Sequence, residues 1–205
     1  MGATELPHEF DFDPEQAVPC PLFYPGDLVV FYGRQWQSRV IELVTRGPSH
    51  IGIILHEHSR PLLFESTSLC DLPCVLLGEK VRGVQAHDPW ERAAEYDGPA
   101  YRLPIKAKLY PEEAGHLTCM AIGEFLGKPY DLAGALESGP HWLKPAHWLY
   151  PDLGTMHCSA LAAHLLMRLG RMNWENPKAF NPADVVARVL NNGTHGQPEL
   201  IPVGA

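Results

Sequence analysis

Two apolar segments joined by a short polar turn constrain the fold of this chain most. Residues 49–55 and 61–67 are rich in aliphatic side chains, and the polar residues 57–60 lie between them. This pattern predicts an antiparallel hairpin, in which Pro61 is acceptable because it begins a strand. A turn at positions 58 and 59 would place Glu65 opposite Gly52 and His50 opposite Thr67.

The predicted register brings a histidine and a carboxylate to one face of the hairpin. His50 and Glu65 would be diagonal neighbours, and Gly52 puts no side chain between them. A polar side chain in an apolar strand is costly to bury unless it is hydrogen-bonded. A hydrogen bond between His50 and Glu65 would explain why both occur in apolar strands. The pair is either a catalytic base with the group that orients it, or a structural hydrogen bond within the sheet.

A helix over residues 155–170 supplies a candidate nucleophile. Thr155 is the predicted N-cap, Gly170 the predicted C′ residue, and Cys158 falls in the first turn. The free N–H groups at a helix N-terminus favour a thiolate, which is the nucleophilic form of cysteine. Leu161 and Leu165 follow Cys158 on the same apolar stripe, so the thiol should face the core, where a cysteine can also be purely structural.

A nucleophilic cysteine needs a base within hydrogen-bond reach and a group that orients the base. His50 and Glu65 fit these two roles. His157 is a poorer base because it is adjacent to Cys158, and neighbouring side chains on a helix diverge.

The remaining pattern predicts an α+β domain. A strand is expected at residues 28–32, a helix at 35–45, strands at 83–86 and 100–103 with an acidic helical or irregular segment at 88–97 between them, a helix at 111–125, and a last short helix beginning at Asn181 and Pro182.

Length and composition narrow the class of protein. The chain has 205 residues, enough for one substantial core, and its net charge of −8 argues against a nucleic-acid partner. It shows neither a basic segment followed by an apolar one at its start nor 18 uninterrupted apolar residues, so we expect no signal peptide and no integral membrane segment. Five cysteines without a disulfide-framework spacing favour a reducing compartment, and we expect a cytoplasmic protein.

The expected organisation is one domain with two appendages. Residues 1–24 are acidic and rich in proline and predict an irregular arm, residues 25–190 form the catalytic domain, and residues 191–205 form a loose tail. Oligomeric state is left open by the sequence.

Metal and cofactor sites are not indicated. Cys70 and Cys74 lack the second pair of ligands that a tetrahedral zinc site needs, and they are more simply buried or loop cysteines. His141 and His147 lie in a loop at 139–154 without a paired metal-ligand spacing, and we interpret them as lining a cleft.

Six short segments, taken in their order along the chain, resemble the circularly permuted branch of the NlpC/P60 superfamily of papain-like cysteine hydrolases. The order of histidine before cysteine is the mark of that branch, whose distant relatives include the lecithin retinol acyltransferase-like proteins. The segments are Pro25-Gly26-Asp27-Leu28-Val29, Ser49-His50-Ile51-Gly52-Ile53, Phe64-Glu65-Ser66, Tyr130-Asp131, Cys158-Ser159-Ala160-Leu161 and Asn181-Pro182-Ala183-Asp184.

The resemblance implies a papain-like fold in which a central, mostly antiparallel sheet packs against the nucleophile helix. It implies Cys158 as the nucleophile, His50 as the general base and Glu65 as the residue that orients the imidazole. Tyr130 and His157 are the candidate substrate-binding residues.

The implied activity is that of a cysteine hydrolase, a peptidase or amidase without a cofactor. It would act through a thioester on an amide bond in a peptide, a peptidoglycan-type fragment or an isopeptide. Two alternatives remain: a lipid acyl hydrolase or acyltransferase, and a catalytically silent binding module.

Overall fold

The computed structural model describes residues 22–33, 47–132 and 154–202. The predicted helix at 35–45, most of the arm at 1–24 and the loop that holds His141 and His147 therefore lie outside the described residues. The elements, in chain order, are β1 (Leu28–Phe31), β2 (His50–Glu57), β3 (Arg60–Thr67), β4 (Gly83–His87), α1 (Pro89–Glu95), β5 (Ala100–Leu103), α2 (Pro111–Phe125), α3 (Cys158–Arg168), a 3₁₀ turn (Pro177–Ala179), α4 (Pro182–Asn191) and β6 (Glu199–Leu200).

The strands form one six-stranded sheet in the order β4-β3-β2-β1-β5-β6. Every neighbouring pair is antiparallel, which confirms the α+β class and the predicted sheet. Apolar side chains from α2, α3 and α4 form the larger core with one face of the sheet. The opposite face packs against α1, Phe23 and Ile201 in a smaller core.

The β2–β3 hairpin has the predicted register. Gly52 lies opposite Glu65, and the strands reverse at His58 and Ser59, whose φ angles are +48° and +67°. Positive φ at both central residues is the geometry of a type I′ turn, whose twist matches that of a two-stranded ribbon. His50 and Glu65 consequently point to the same face of the sheet, the one that α1 covers.

Helix α3 begins at Cys158, and its N-cap is His157, not Thr155 as predicted. His157 has extended backbone angles, and its Nδ1 atom accepts a hydrogen bond from the N–H of Ala160. A histidine nitrogen thus replaces the expected threonine oxygen, a substitution that ordinary capping preferences do not anticipate. The predicted end of the helix is confirmed, because Gly170 follows the C-cap with a φ of +66°.

The prediction of a loose tail after residue 190 is wrong for the residues that the structure describes. β6 pairs with β5, Ile201 is buried in the smaller core, and the Nε2 atom of buried His195 contacts the carbonyl oxygen of Gly26 at 3.0 Å. A two-residue strand at the edge of a sheet carries too few side chains to show an alternating pattern in the sequence.

Among the described residues, no helix is both long and apolar enough to cross a bilayer.

Candidate functional site

The predicted contact between His50 and Glu65 is present. The Nε2 atom of His50 is hydrogen-bonded to the Oε2 atom of Glu65. His50 is 8% exposed and Glu65 is fully buried. Phe31 lies opposite His50 in the sheet, and the centres of the two rings are 5.5 Å apart. The imidazole therefore contacts both the Phe31 ring and the Glu65 carboxylate.

Cys158 is close enough to His50 to act on its charge, so the three predicted catalytic residues belong to one cluster. Since Nε2 is occupied by Glu65, Nδ1 is the nitrogen left for the sulfur. Burial acts to lower the pKa of His50, but Cys158 and Glu65 together outweigh it and raise the pKa to about 9. The imidazole is therefore protonated at neutral pH. Its neighbours are the Glu65 carboxylate and the Cys158 sulfur, which can ionise.

The start of α3 is fixed by hydrogen bonds on both sides of Cys158. Ser66, the neighbour of Glu65, points to the opposite face and donates through Oγ to the carbonyl oxygen of Met156 at 2.6 Å. Ser159 donates through Oγ to the carbonyl oxygen of Phe180 at 2.7 Å. Cys158 lies between Met156 and Ser159 in the chain, and both are held by these hydrogen bonds. The packing of α3 on the sheet therefore sets the position of the Cys158 sulfur.

A fourth residue, Arg92, belongs to the cluster and was missed in the sequence. Its Nε atom donates to the Oε1 atom of Glu65 at 2.7 Å, on the carboxylate oxygen that His50 does not use. Burial acts to raise the pKa of Glu65, but Arg92 and then His50 outweigh it and hold the pKa far below its ordinary value. The carboxylate is therefore ionised.

A signal for Arg92 does exist in the sequence. The acidic segment 88–97 folds as α1, in which Asp88 is the N-cap and the buried face consists of Pro89, Arg92 and Ala93. An arginine on the apolar face of a short helix is a buried cation that requires an anionic partner. The identity of that partner depends on tertiary packing, because Glu65 lies 27 positions earlier in the chain.

Tyr130 lies near Cys158, and its contact with substrate stays a prediction. It forms an isolated parallel bridge with Met156, two residues before Cys158. Burial first, and the proximity of Cys158 and Asp131 second, raise the pKa of its phenol. The hydroxyl is therefore protonated at neutral pH and can donate a hydrogen bond.

His157 has a different environment. It is 1% exposed, it caps α3, and its Nδ1 atom is 3.1 Å from the Oγ atom of Ser159. Burial lowers its pKa to about 4, so the ring is neutral at physiological pH. These contacts give His157 a role in holding the helix start, and its contact with substrate stays a prediction.

Comparisons with known proteins identify a structural neighbour. No protein-family model matches the chain, and no curated protein matches it in sequence. Among solved structures, the chain is similar to the metalloprotein yiiX from Escherichia coli O157:H7, a DUF1105 protein. The TM-score is 0.53 at 18% identity, over 87% of this chain and 89% of the neighbour. Similarity at this level of identity shows a shared fold.

One group of side chains has the composition of a metal site but an unsuitable environment. Glu65, Cys70 and His87 bring one donor atom each within 4.8 Å of one another. The guanidinium of Arg92 already occupies the Glu65 oxygen that faces His87, and a second cation there would be repelled. Burial also raises the pKa of Cys70 to about 11, which disfavours the thiolate that a metal needs. These residues do not fit a metal ion.

Proposed function

We propose that this protein is a cysteine hydrolase with a papain-like fold, in which Cys158 is the nucleophile, His50 the acid and base, and Glu65 the residue that orients His50. The observation that carries the proposal is the cluster at the start of a helix in which His50 is hydrogen-bonded to Glu65 and lies close to Cys158. A sulfur next to an imidazole that is backed by a carboxylate is the arrangement required for nucleophilic catalysis by cysteine.

The reaction would proceed through a thioester. The Cys158 thiolate attacks the substrate carbonyl carbon, and the carbonyl electrons move to oxygen. As the tetrahedral intermediate collapses, the carbon–nitrogen bond breaks and the His50 imidazolium gives its proton to the departing amine. Neutral His50 then takes a proton from water, the resulting hydroxide attacks the thioester, and a carboxylic acid and the Cys158 thiolate are released with His50 again protonated.

The first turn of α3 provides the stabilisation of the oxyanion. Cys158 and Ser159 are its first two residues, and backbone N–H groups at those positions have no acceptor within their own helix. They are therefore suited to donate to the negative oxygen of the intermediate, which the helix dipole also favours. The Tyr130 hydroxyl, close to Cys158, is a further available donor.

An amide bond is the favoured substrate, because the permuted NlpC/P60 proteins that the sequence resembles are papain-like amide hydrolases. Hydrolysis or transfer of a lipid acyl ester is the second candidate, on the resemblance to the lecithin retinol acyltransferase-like proteins. Both use the same thioester. They differ in the leaving group, since an amine must be protonated as it departs whereas an alcohol leaves with less assistance.

A panel of substrates tests the proposal. The protein should release amine from peptide and isopeptide amides, and Cys158→Ala should abolish release while keeping the fold. Cys119→Ala is the matched control, because Cys119 is an exposed cysteine on α2. Release of fatty acid from lipid esters without release of amine would favour the acyl-ester function. Failure to turn over either class would contradict hydrolysis.

A silent binding module would keep the fold but not the reactivity. Small thiol-reactive probes distinguish a binding module from a hydrolase. In a hydrolase, Cys158 should be labelled at mildly acidic pH while Cys119 is not. Equal labelling of both cysteines would support the binding module.

A further inference from the structure

We propose that Arg92 is a positioning residue for this site, which clamps the Glu65 carboxylate so that it holds His50 in line with Cys158. The inference rests on the proposed hydrolase function and adds a fourth member to its cluster of residues.

The two oxygens of Glu65 are divided between two partners. Oε2 is bonded to His50 and Oε1 accepts from Arg92, so both ends of the carboxylate are held. A carboxylate with one partner can turn about its terminal torsion, whereas one with two partners has a defined plane. The plane of Glu65 sets the direction from which it contacts His50.

Arg92 is itself rigidly placed. It is 2% exposed, and its Nη1 atom donates to Oε2 of Glu95 at 2.6 Å. Its guanidinium carbon lies 5.2 Å from the ring centre of Phe31 and 5.1 Å from that of Tyr96. Phe31 is the same ring that contacts His50. The arginine, the aromatic ring and the imidazole therefore form one packed unit around the carboxylate.

Among the described residues, the charged and titratable groups that face Glu65 come from four elements. They are His50 on β2, His87 on β4, Arg92 on α1 and Cys70 in the segment after β3, with Glu95 behind Arg92. Burial lowers the pKa of His87, and burial raises that of Cys70, so these two favour their neutral forms. Arg92 is the member of this set that remains cationic at every relevant pH.

The chain contains a matched control for a merely structural arginine. Arg102 on β5 is buried, donates through Nε to Asp27 at 2.7 Å, and donates through Nη1 to Glu199 at 3.1 Å. Cross-strand pairing places Arg102, Val29, Gly52 and Glu65 in one row, so Arg102 is three strand spacings, about 14 Å, from Glu65. Removing it breaks a similar buried ion pair without touching the site.

The experiment measures the rate of alkylation of Cys158 by iodoacetamide as a function of pH, separately for each cysteine by peptide mass spectrometry, and the pKa of His50 by NMR. For Arg92→Met we expect the alkylation rate of Cys158 at about pH 6 to fall roughly 10-fold. We also expect a lower pKa for His50, because a carboxylate that has turned away stabilises the imidazolium less, whereas loss of the Arg92 charge alone would raise that pKa. Arg92→Lys should recover part of the loss, since it restores charge without the planar donor pair. Arg102→Met should leave the alkylation rate within about twofold of the wild type and the pKa of His50 within about 0.3 unit, a tolerance set by ordinary scatter between variants.

A double variant tests whether Arg92 acts through Glu65. In the Glu65→Gln background, Arg92→Met should cause no further loss of alkylation rate, because the group that Arg92 positions is already absent. If Arg92→Met alone fails to fold, this double variant and Arg92→Lys provide the result, since neither leaves a buried charge without a partner.

The outcomes separate the two proposals. A wild-type Cys158 no more reactive than Cys119 at about pH 6 would contradict the hydrolase function, and the pKa of His50 would still report on Arg92. An unchanged or raised His50 pKa in Arg92→Met, or additive losses in the double variant, would overturn the positioning role.

Discussion

Glu65 connects the candidate catalytic residues to the rest of the sheet. It is buried, it contacts His50 and Arg92, and its pKa is far below the ordinary value because Arg92 and His50 outweigh the effect of burial. A permanently ionised carboxylate at this position stabilises a positive charge on His50, which the proposed reaction needs when the amine leaves.

Replacement of Glu65 by Gln should therefore impair the reaction without removing the nucleophile. We expect the pKa of His50 to fall from about 9 toward its ordinary value, and kcat/KM to fall on the order of 100-fold, the usual contribution of acid–base catalysis. Assay of kcat/KM together with an NMR titration of His50 checks both effects. Glu112→Gln, an exposed change in α2, is the control, and an unchanged His50 pKa in Glu65→Gln would contradict the assigned role.

The pH dependence of activity follows from the same imidazole. Its pKa is raised to about 9, so the imidazolium is present at neutral pH and is lost as the pH rises through 9. We expect kcat/KM to fall on the alkaline side near pH 9 in the wild type, and at lower pH in Glu65→Gln. An alkaline limb at the same pH in both proteins would show that Glu65 does not act on His50.

Residue-level prediction from the sequence succeeded where local geometry was sufficient. His50 and Glu65 were brought together because a two-residue turn fixes the register of a hairpin. Arg92 was missed because its partner lies on another element, and the seven-residue helix that carries it has too few positions for a clear apolar stripe.

At the scale of elements, the site depends on the close approach of β2 and β3 at Gly52. A Cβ atom added to Gly52 would lie 2.6 Å from the Cδ1 atom of Leu63, 3.1 Å from the carbonyl oxygen of Phe64 and 3.2 Å from the Cβ atom of Glu65. The absence of a side chain here keeps the base and its carboxylate free of obstruction, as the sequence suggested.

Gly52→Ala should destabilise the protein and disturb the site together. We expect a loss of about 1–3 kcal/mol in the free energy of unfolding, the usual cost of overpacking, and a fall in activity because Glu65 is pushed. Gly123→Ala is the matched control in α2, where an added Cβ meets nothing within 4 Å, and it should raise stability by up to about 1 kcal/mol. Urea unfolding and substrate turnover of the two variants give the comparison. Equal effects of both would rule out a special role for Gly52.

The elements themselves were predictable in proportion to their length. Helix α2 has the predicted bounds, since Pro111 at its start and a continuous apolar face define it. The N-cap of α3 was misplaced by two residues because a histidine nitrogen does the capping, and β6 was missed because two residues cannot show a period.

At the scale of the whole molecule, two buried neutral histidines couple stability to pH. Burial lowers the pKa of His157 and of His195 to about 4. In the unfolded chain both histidines have a pKa of about 6.5. The unfolded state therefore binds more protons than the folded state between about pH 6.5 and pH 4. Stability should therefore decrease as the pH falls through this window, by roughly 3 kcal/mol for each histidine.

Urea unfolding between about pH 4 and pH 7 measures this dependence. In His195→Gln the slope of unfolding free energy against pH should decrease by up to about 1.4 kcal/mol per pH unit, the value for one proton. His116→Gln, at an exposed position of α2, should leave the slope unchanged. A slope in His195→Gln equal to that of the wild type would contradict the assignment of a buried neutral ring.

The central claim is that Cys158 forms an acyl-enzyme with the help of His50, and intact-mass spectrometry during reaction with an activated acyl ester tests it most directly. We predict one acyl group per chain, located on Cys158, lost again by hydrolysis, slow to form in His50→Gln and absent in Cys158→Ala. An adduct on another residue, or equal acylation of the wild type and Cys158→Ala, would contradict the account.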